Sequence, residues 1–163
     1  MNVAPAVIAL IDDLQNRYIR ALDSKNMAAW LGTFSPRADA SYICTTAEND
    51  DAGLPLSLVF DDCHARLEDR VSFVTKVWVG TYQDYRTRHF VQRTACTAPE
   101  GGEIEVESNF SLMYTPCDTG RTELFTTGVY LDRIAIDGDR AVFLSKKVIT
   151  DSAIMARYVA FPL

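Results

Sequence analysis

The hydrophobic pattern of the chain changes period near residue 76, and this constrains the fold more than any other feature. Before that point, Val7, Leu10, Ile11, Leu14, Tyr18 and Leu22 recur at spacings of three and four. That spacing predicts an amphipathic helix of about five turns ending near Asp23. Beyond it, segments 85–98, 103–115, 121–137 and 140–151 are long, rich in β-branched residues and roughly alternating, as strands are. Gly101-Gly102, Asp118-Thr119-Gly120 and Asp137-Gly138 supply the turns between them, the last being the strongest hairpin signal. Helices first and strands afterwards is the order of an α+β fold rather than of a parallel α/β sheet. A long, curved antiparallel sheet wrapped around N-terminal helices makes a cone, whose interior holds either a ligand or core side chains.

The intervening stretch is read in shorter pieces. Asn26 is a good cap for a second helix containing Ala28, Ala29, Trp30 and Leu31, and Pro36 closes that unit. Two short strands, 40–46 and 56–60, flank an acidic loop, Glu48-Asn49-Asp50-Asp51. Asp61 or Asp62 then caps a third helix with Cys63, Leu67, Val71 and Val74 on its face. No linker or repeat divides the 163 residues, so a single domain, 1–163, is expected.

Bulk properties remove several function classes. The net charge is −6 and the 16 Lys and Arg residues are scattered, which suits neither nucleic acid nor an anionic membrane surface. The longest apolar stretches fall far short of the ~20 residues that span a bilayer. Residues 1–14 carry no basic segment and do not resemble a signal peptide, so the cytoplasm is the expected compartment. There, the four cysteines, Cys44, Cys63, Cys96 and Cys117, are expected to be reduced thiols.

The chain is poor in catalytic patterns. It has two histidines, His64 and His89, and no paired-cysteine or His-x-x-x-His spacing, so no metal or other cofactor is expected in it. There is no Gly-x-Ser-x-Gly elbow, and Gly101-Gly102 joins strands rather than opening a helix on a phosphate. Acid–base chemistry in a cone would draw on Asp62, His64, Tyr85 and His89. Each also has a structural reading: Asp62 as a helix cap, His64 as a surface residue of a first turn, Tyr85 and His89 as strand residues. Two guanidiniums, Arg86 and Arg88, fall on one strand face and need carboxylates, from Glu105 or Glu107 on the next strand or from a partner subunit. Arg86, Arg88 and His89 are therefore the candidate subunit interface. The apolar stretch 158–163 must pack somewhere.

An ordered series of residues resembles one family. Arg20-Ala21-Leu22-Asp23, Trp30-Leu31 with Phe34, and Asp61-Asp62 with Leu67, Asp69-Arg70 and Val71 resemble the first half of the small (β) subunits of aromatic-ring-hydroxylating (Rieske non-haem iron) oxygenases. Arg86-x-Arg88-His89 with Val91, Gly128-x-Tyr130-x-Asp132 and Lys146-Lys147 continue the likeness. Within the family, Ala52-Gly53-Leu54-Pro55 and the ending Thr150-Asp151-Ser152…Pro162-Leu163 are most similar to salicylate 5-hydroxylase small subunits, with those of anthranilate and terephthalate dioxygenases as relatives.

The resemblance implies a cone-shaped, cystatin-like fold of the kind seen in nuclear transport factor. It also implies a non-catalytic subunit organising an α3β3 hexamer. In that hexamer the large (α) subunit holds a Rieske [2Fe–2S] cluster and a mononuclear Fe(II), and NAD(P)H reduces it through a separate reductase or ferredoxin. Ligand arithmetic agrees, because the two iron centres together need four histidines and this chain has two. The rival readings are a free-standing isomerase or dehydratase and a binding module for an aromatic ligand.

Overall fold

A computed structural model describes residues 3–98 and 102–163. Helix α1 (Pro5–Asp23) begins with proline at its first turn, where no intrahelical N–H is required, and buries Ile11, Leu14, Tyr18 and Leu22 as the spacing predicts. It ends in a Schellman arrangement: the Asn26 N–H donates to the Ala21 carbonyl (2.8 Å) and the Lys25 N–H to that of Leu22 (2.9 Å). The motif needs a left-handed residue, and here it is Lys25 (φ 56°) rather than glycine. Helix α2 (Met27–Leu31) is capped by the Asn26 side chain, which accepts the Ala29 N–H at 3.0 Å.

Strand β1 (Ser41–Thr46) forms as expected, but the acidic stretch after it is not a loop. It forms a short helix, α3 (Ala47–Asp51). The Thr46 hydroxyl caps it by accepting the Asn49 N–H (3.3 Å), and Glu48 and Asp50 sit in the first turn, where the helix dipole favours negative charge. The strand expected over 56–60 shrinks to β2 (Val59–Asp61). Pro55 lacks an N–H and the Leu56 carbonyl accepts the Thr45 hydroxyl (2.7 Å), so the chain joins the ladder late. Helix α4 (His64–Ser72) runs into a π-helical turn, Phe73–Val77. Cys63, with no side-chain cap bond, precedes α4; neither Asp61 nor Asp62 caps it. Asp61 instead accepts two bonds from the Arg70 guanidinium (2.9 and 3.0 Å), and Asp62 pairs with Arg66.

The four long strands are β3 (Tyr85–Thr97), β4 (Ile104–Pro116), β5 (Glu123–Asp137) and β6 (Arg140–Thr150). The six strands run in the order β2-β1-β6-β5-β4-β3, and all pairings are antiparallel except β1 with β6. Register shifts at Arg93/Ala95, Leu112/Met113 and Arg133/Ile134 bend the strands, which is how a long sheet curves around a helix. The last hairpin turns through Gly138 (φ 63°), as its glycine predicts; Gly101 lies outside the described residues. At Gly128 a Cβ would sit 2.1 Å from the Ile149 carbonyl oxygen, so neighbouring backbone excludes any side chain there.

The inside of the curve is filled. Tyr18, Trp30, Phe34, Tyr42, Tyr130 and Phe143 pack edge-on or tilted against one another around α1, with ring centroids 5.1–6.5 Å apart. The apolar stretch 158–163 divides: Ala160 and Leu163 are buried, whereas Tyr158 is 85% exposed. The Leu163 carbonyl accepts the Tyr18 hydroxyl at 2.6 Å, and its N–H donates to the Tyr42 hydroxyl at 2.8 Å. Among the described residues no helix is long and apolar enough to cross a membrane.

Candidate functional site

Alternation along β3 separates the sequence-predicted residues by face. Arg86, Arg88 and Phe90 point outward and are exposed; Tyr85, Thr87 and His89 point inward and are buried. Arg86 and Arg88 thus share a face, as expected. The intrachain carboxylates do not reach them, however. Arg86 lies opposite Thr115 and Arg88 opposite Met113, whereas Glu105 and Glu107 lie opposite Thr97 and Ala95, near the far end of the strand. The Arg88 guanidinium donates to the Thr87 carbonyl (2.9 Å), and neither arginine has a carboxylate within ion-pair distance among the described residues.

His89 turns the other way. Its Nδ1 lies 2.7 Å from an Asp23 carboxylate oxygen, and Asp23 also accepts the Thr87 hydroxyl (3.0 Å) and the His89 N–H (3.3 Å). Three donors on one carboxylate tie the end of α1 to the back of the strand that carries the arginines. Asp23 sits where the helix dipole opposes a negative charge, and these donors offset that.

The four acid–base suspects do not converge. Asp62 pairs with Arg66 (3.3 Å) on the surface, and His64 lies 3.8 Å from Glu68 on the same face of α4. Tyr85 packs against Tyr82, Tyr114 and Phe161, and His89 is bound to Asp23. The donors for a Rieske cluster or a facial-triad iron are likewise on separate elements. Among the described residues no three His, Cys, Asp or Glu side chains gather as a metal would require. The residues present do not fit either iron centre. Cys44 is buried, and burial pushes its thiol up to about 12, where it is inert.

One constellation was not anticipated from the sequence. Lys146 on β6 and Asp132 on β5 lie opposite each other on the inner face, with both side chains fully buried. The ammonium is 3.0 Å from both Asp132 oxygens, and the Gln15 amide of α1 donates to the same carboxylate at 2.5 Å. The ammonium also stands 3.8 Å from the Tyr130 ring centroid, 4.4 Å from that of Phe143 and 4.5 Å from that of Tyr18. Burial pushes the Asp132 carboxyl up and the Lys146 amine down, and the attraction between them opposes both shifts. Such a pair, caged in aromatic rings, fixes the register of β5 on β6 and docks α1; it has no approach for a substrate. Alternation gives the signal that could have found it, since Tyr130-x-Asp132 and Leu144-x-Lys146 share the period of the core.

Comparison with known proteins places these features in one group. Residues 17–157 match the family described as ring hydroxylating beta subunit. The small subunit of anthranilate 1,2-dioxygenase from Burkholderia cepacia is 31% identical, over 92% of this chain and 90% of its own length. Subunit beta 2 of the terminal oxygenase component of terephthalate 1,2-dioxygenase from a Comamonas species is 26% identical, over 90% and 92%. The crystal structure of the beta subunit of benzoate 1,2-dioxygenase from Burkholderia mallei superimposes with a TM-score of 0.72 at 25% identity, covering 93% of each chain.

Proposed function

The chain belongs to the ring-hydroxylating beta-subunit family, and from that premise we propose that it acts as a single domain, 1–163, with an assembly role rather than a chemical one. In this reading it organises a cytoplasmic α3β3 hexamer whose large subunit carries the Rieske [2Fe–2S] cluster and the mononuclear iron. Electrons reach those centres from NAD(P)H through a separate reductase or ferredoxin. The observation that carries the reading is the family match across most of the chain. The interior supports it: the cone is closed by aromatic side chains and by the Lys146–Asp132 pair where an enzyme of this shape would keep an open acid–base site. The substrate class is a single-ring aromatic acid. Anthranilate, terephthalate and benzoate appear in the names of similar proteins, and salicylate, suggested by residues 52–55 and 150–163, belongs to the same class.

Arg86 and Arg88 belong to a subunit contact, with His89 and Asp23 holding their strand from behind. Co-expression with a large oxygenase subunit of the same family, followed by native mass spectrometry and iron analysis, tests the assignment. The expected result is a complex in which iron follows the large subunit, while the small chain purified alone is colourless with iron and zinc well below one per chain. An isolated small chain with a stoichiometric iron–sulfur spectrum, or one that turns over an aromatic substrate unaided, would refute it.

A further inference from the structure

A cavity of about 530 Å³ lies between the segment that leads into β3 and the irregular C-terminal stretch that follows β6. Tyr82, Tyr85, Met155 and Tyr158 supply its apolar walls, and Arg157 and Gln83 its polar ones. That volume, lined largely by rings and a thioether around one charged group, is what a small-molecule site offers. The rings are already held in place. Tyr85 is buried and stands edge-on to Tyr82 and Phe161, with centroids 6.5 and 6.4 Å apart, and Tyr82 stands edge-on to Phe161 at 5.8 Å. The C-terminal stretch that carries Met155, Arg157 and Tyr158 is anchored beyond them, through the bonds of Leu163 to Tyr18 and Tyr42. At the mouth of the cavity the Tyr158 ring is exposed.

Arg157 decides the charge of the ligand. Its guanidinium donates to the neutral Gln83 amide oxygen at 2.7 Å. Its closest carboxylate among the described residues, Asp118, is 3.7 Å away, half-exposed and beyond direct hydrogen-bond reach. Asp84, which stands in sequence between two residues of the cavity wall, is paired with Lys25. The cavity beside Phe60, Phe73 and Trp78 gives the contrast. Its rings come with Arg66 and Arg70, but Asp62 and Asp61 already hold those guanidiniums at 3.3 and 2.9 Å. A guanidinium bound to no carboxylate and set among tyrosine rings matches a ring that itself bears a carboxylate. Resting on the reading of the chain as part of an aromatic-acid oxygenase, we propose that this cavity binds a small aromatic carboxylate, its ring against Tyr82 and Tyr158 and its carboxylate on Arg157 in place of Gln83. The bound acid would bridge the C-terminal stretch and the head of β3, fastening one to the other.

Isothermal titration calorimetry of the full chain with benzoate tests the site, with a melting curve for each variant to verify its fold. Benzoate should bind with a dissociation constant of about 1 mM or below, which is within reach of a ligand of its size. Benzamide keeps the ring and loses the charge, and cyclohexanecarboxylate keeps the charge and loses the flat ring; each should bind at least about threefold more weakly. Arg157→Ala should weaken benzoate about tenfold or more, and Arg157→Lys should recover only part of that, because an ammonium lacks the planar fork. Tyr158→Ala, at a residue too exposed to carry the fold, should weaken it about threefold or more. No binding by wild type, equal affinity for the three compounds, or unchanged affinity in either alanine variant would overturn the proposal. Capture of a co-expressed large subunit is a separate readout. A chain that binds benzoate yet captures no large subunit would count against the assembly role, and one that captures it yet ignores benzoate would count against this site alone.

Discussion

Replacing Lys146 by methionine isolates the energetics of the buried pair. Methionine keeps the length and the contacts with the Tyr130, Phe143 and Tyr18 rings but removes the charge. At the observed 3.0 Å, and with an effective dielectric constant of about 20, the lost attraction is about 5 kcal/mol. Stranding one partner of a buried pair typically costs ~3–5 kcal/mol, so the expected loss falls in that range. It must also depend on pH. Burial already raises the Asp132 carboxyl, and without Lys146 the attraction that opposed the rise is gone. A carboxyl whose folded pKa lies above its unfolded value contributes stability that is complete below the unfolded value and is lost as pH rises through the folded one. The deficit of Lys146→Met relative to wild type should therefore be largest near neutrality and shrink as pH falls towards 4. Removing the whole polar cluster, with Lys146→Met, Asp132→Leu and Gln15→Leu together, should recover most of the loss. Urea unfolding of the full chain between pH 4.5 and 8 measures all of this. A deficit under ~1 kcal/mol, or one that grows on acidification, would refute the account of the pair as a desolvated, mutually dependent unit.

Three further outcomes are expected. His89→Ala removes one of three donors on Asp23 and should cost about 1–3 kcal/mol in unfolding experiments, while turnover in the assembled complex stays intact; a loss of ~100-fold or more in an assembled, iron-replete complex would revive the acid–base reading. Gly128→Ala places a Cβ against the Ile149 carbonyl and should lower stability by at least about 1–3 kcal/mol, seen as a fall in the melting temperature. Lys25→Gly relieves a left-handed residue of ~1 kcal/mol but removes the side chain that pairs with Asp84 and covers the Tyr85 and Phe161 rings; the melting temperature should move little, whereas Lys25→Ala, which loses the contacts and keeps the strain, should lower it.

The division into helices and long strands was legible because period is a local property. Val7 to Leu22 repeat at helical spacing, and residues beyond 85 alternate, whatever lies around them. The same alternation placed Arg86 and Arg88 on one face. What it could not supply was register. The sequence offers Glu105 and Glu107 as partners for the arginines, but β3 and β4 are antiparallel neighbours, so the start of β4 lies beside the end of β3 and those acids fall far from Arg86 and Arg88. Register also hid the Lys146–Asp132 pair: a lysine between Ser145 and Lys147 reads as solvated until Asp132 is known to lie across from it. The five-residue helix α3 is too short to show a face, so its capping threonine was the one available sign. Asp61 was misread because an aspartate ahead of a helix suits either a cap or an arginine two turns on, and Arg70 won it.

The hydrogen bond from Tyr18 to the Leu163 carbonyl joins residues 145 positions apart, and this sets a timetable for the chain as it is made. A ribosome adding roughly 5–20 residues per second needs on the order of ten seconds to travel from one to the other. Through most of that interval the apolar face of α1 has only part of its sheet to lie against: β3, which Asp23 ties to α1, comes by residue 97, but Asp132, Lys146 and the β6 strand that pairs with β1 are encoded later. The nascent protein must therefore carry its first helix only partly sheltered until β6 has been made. Transiently exposed apolar surface of that kind is what chaperones cover, so the yield of folded chain should respond to a holding chaperone as well as to the stability of the finished fold.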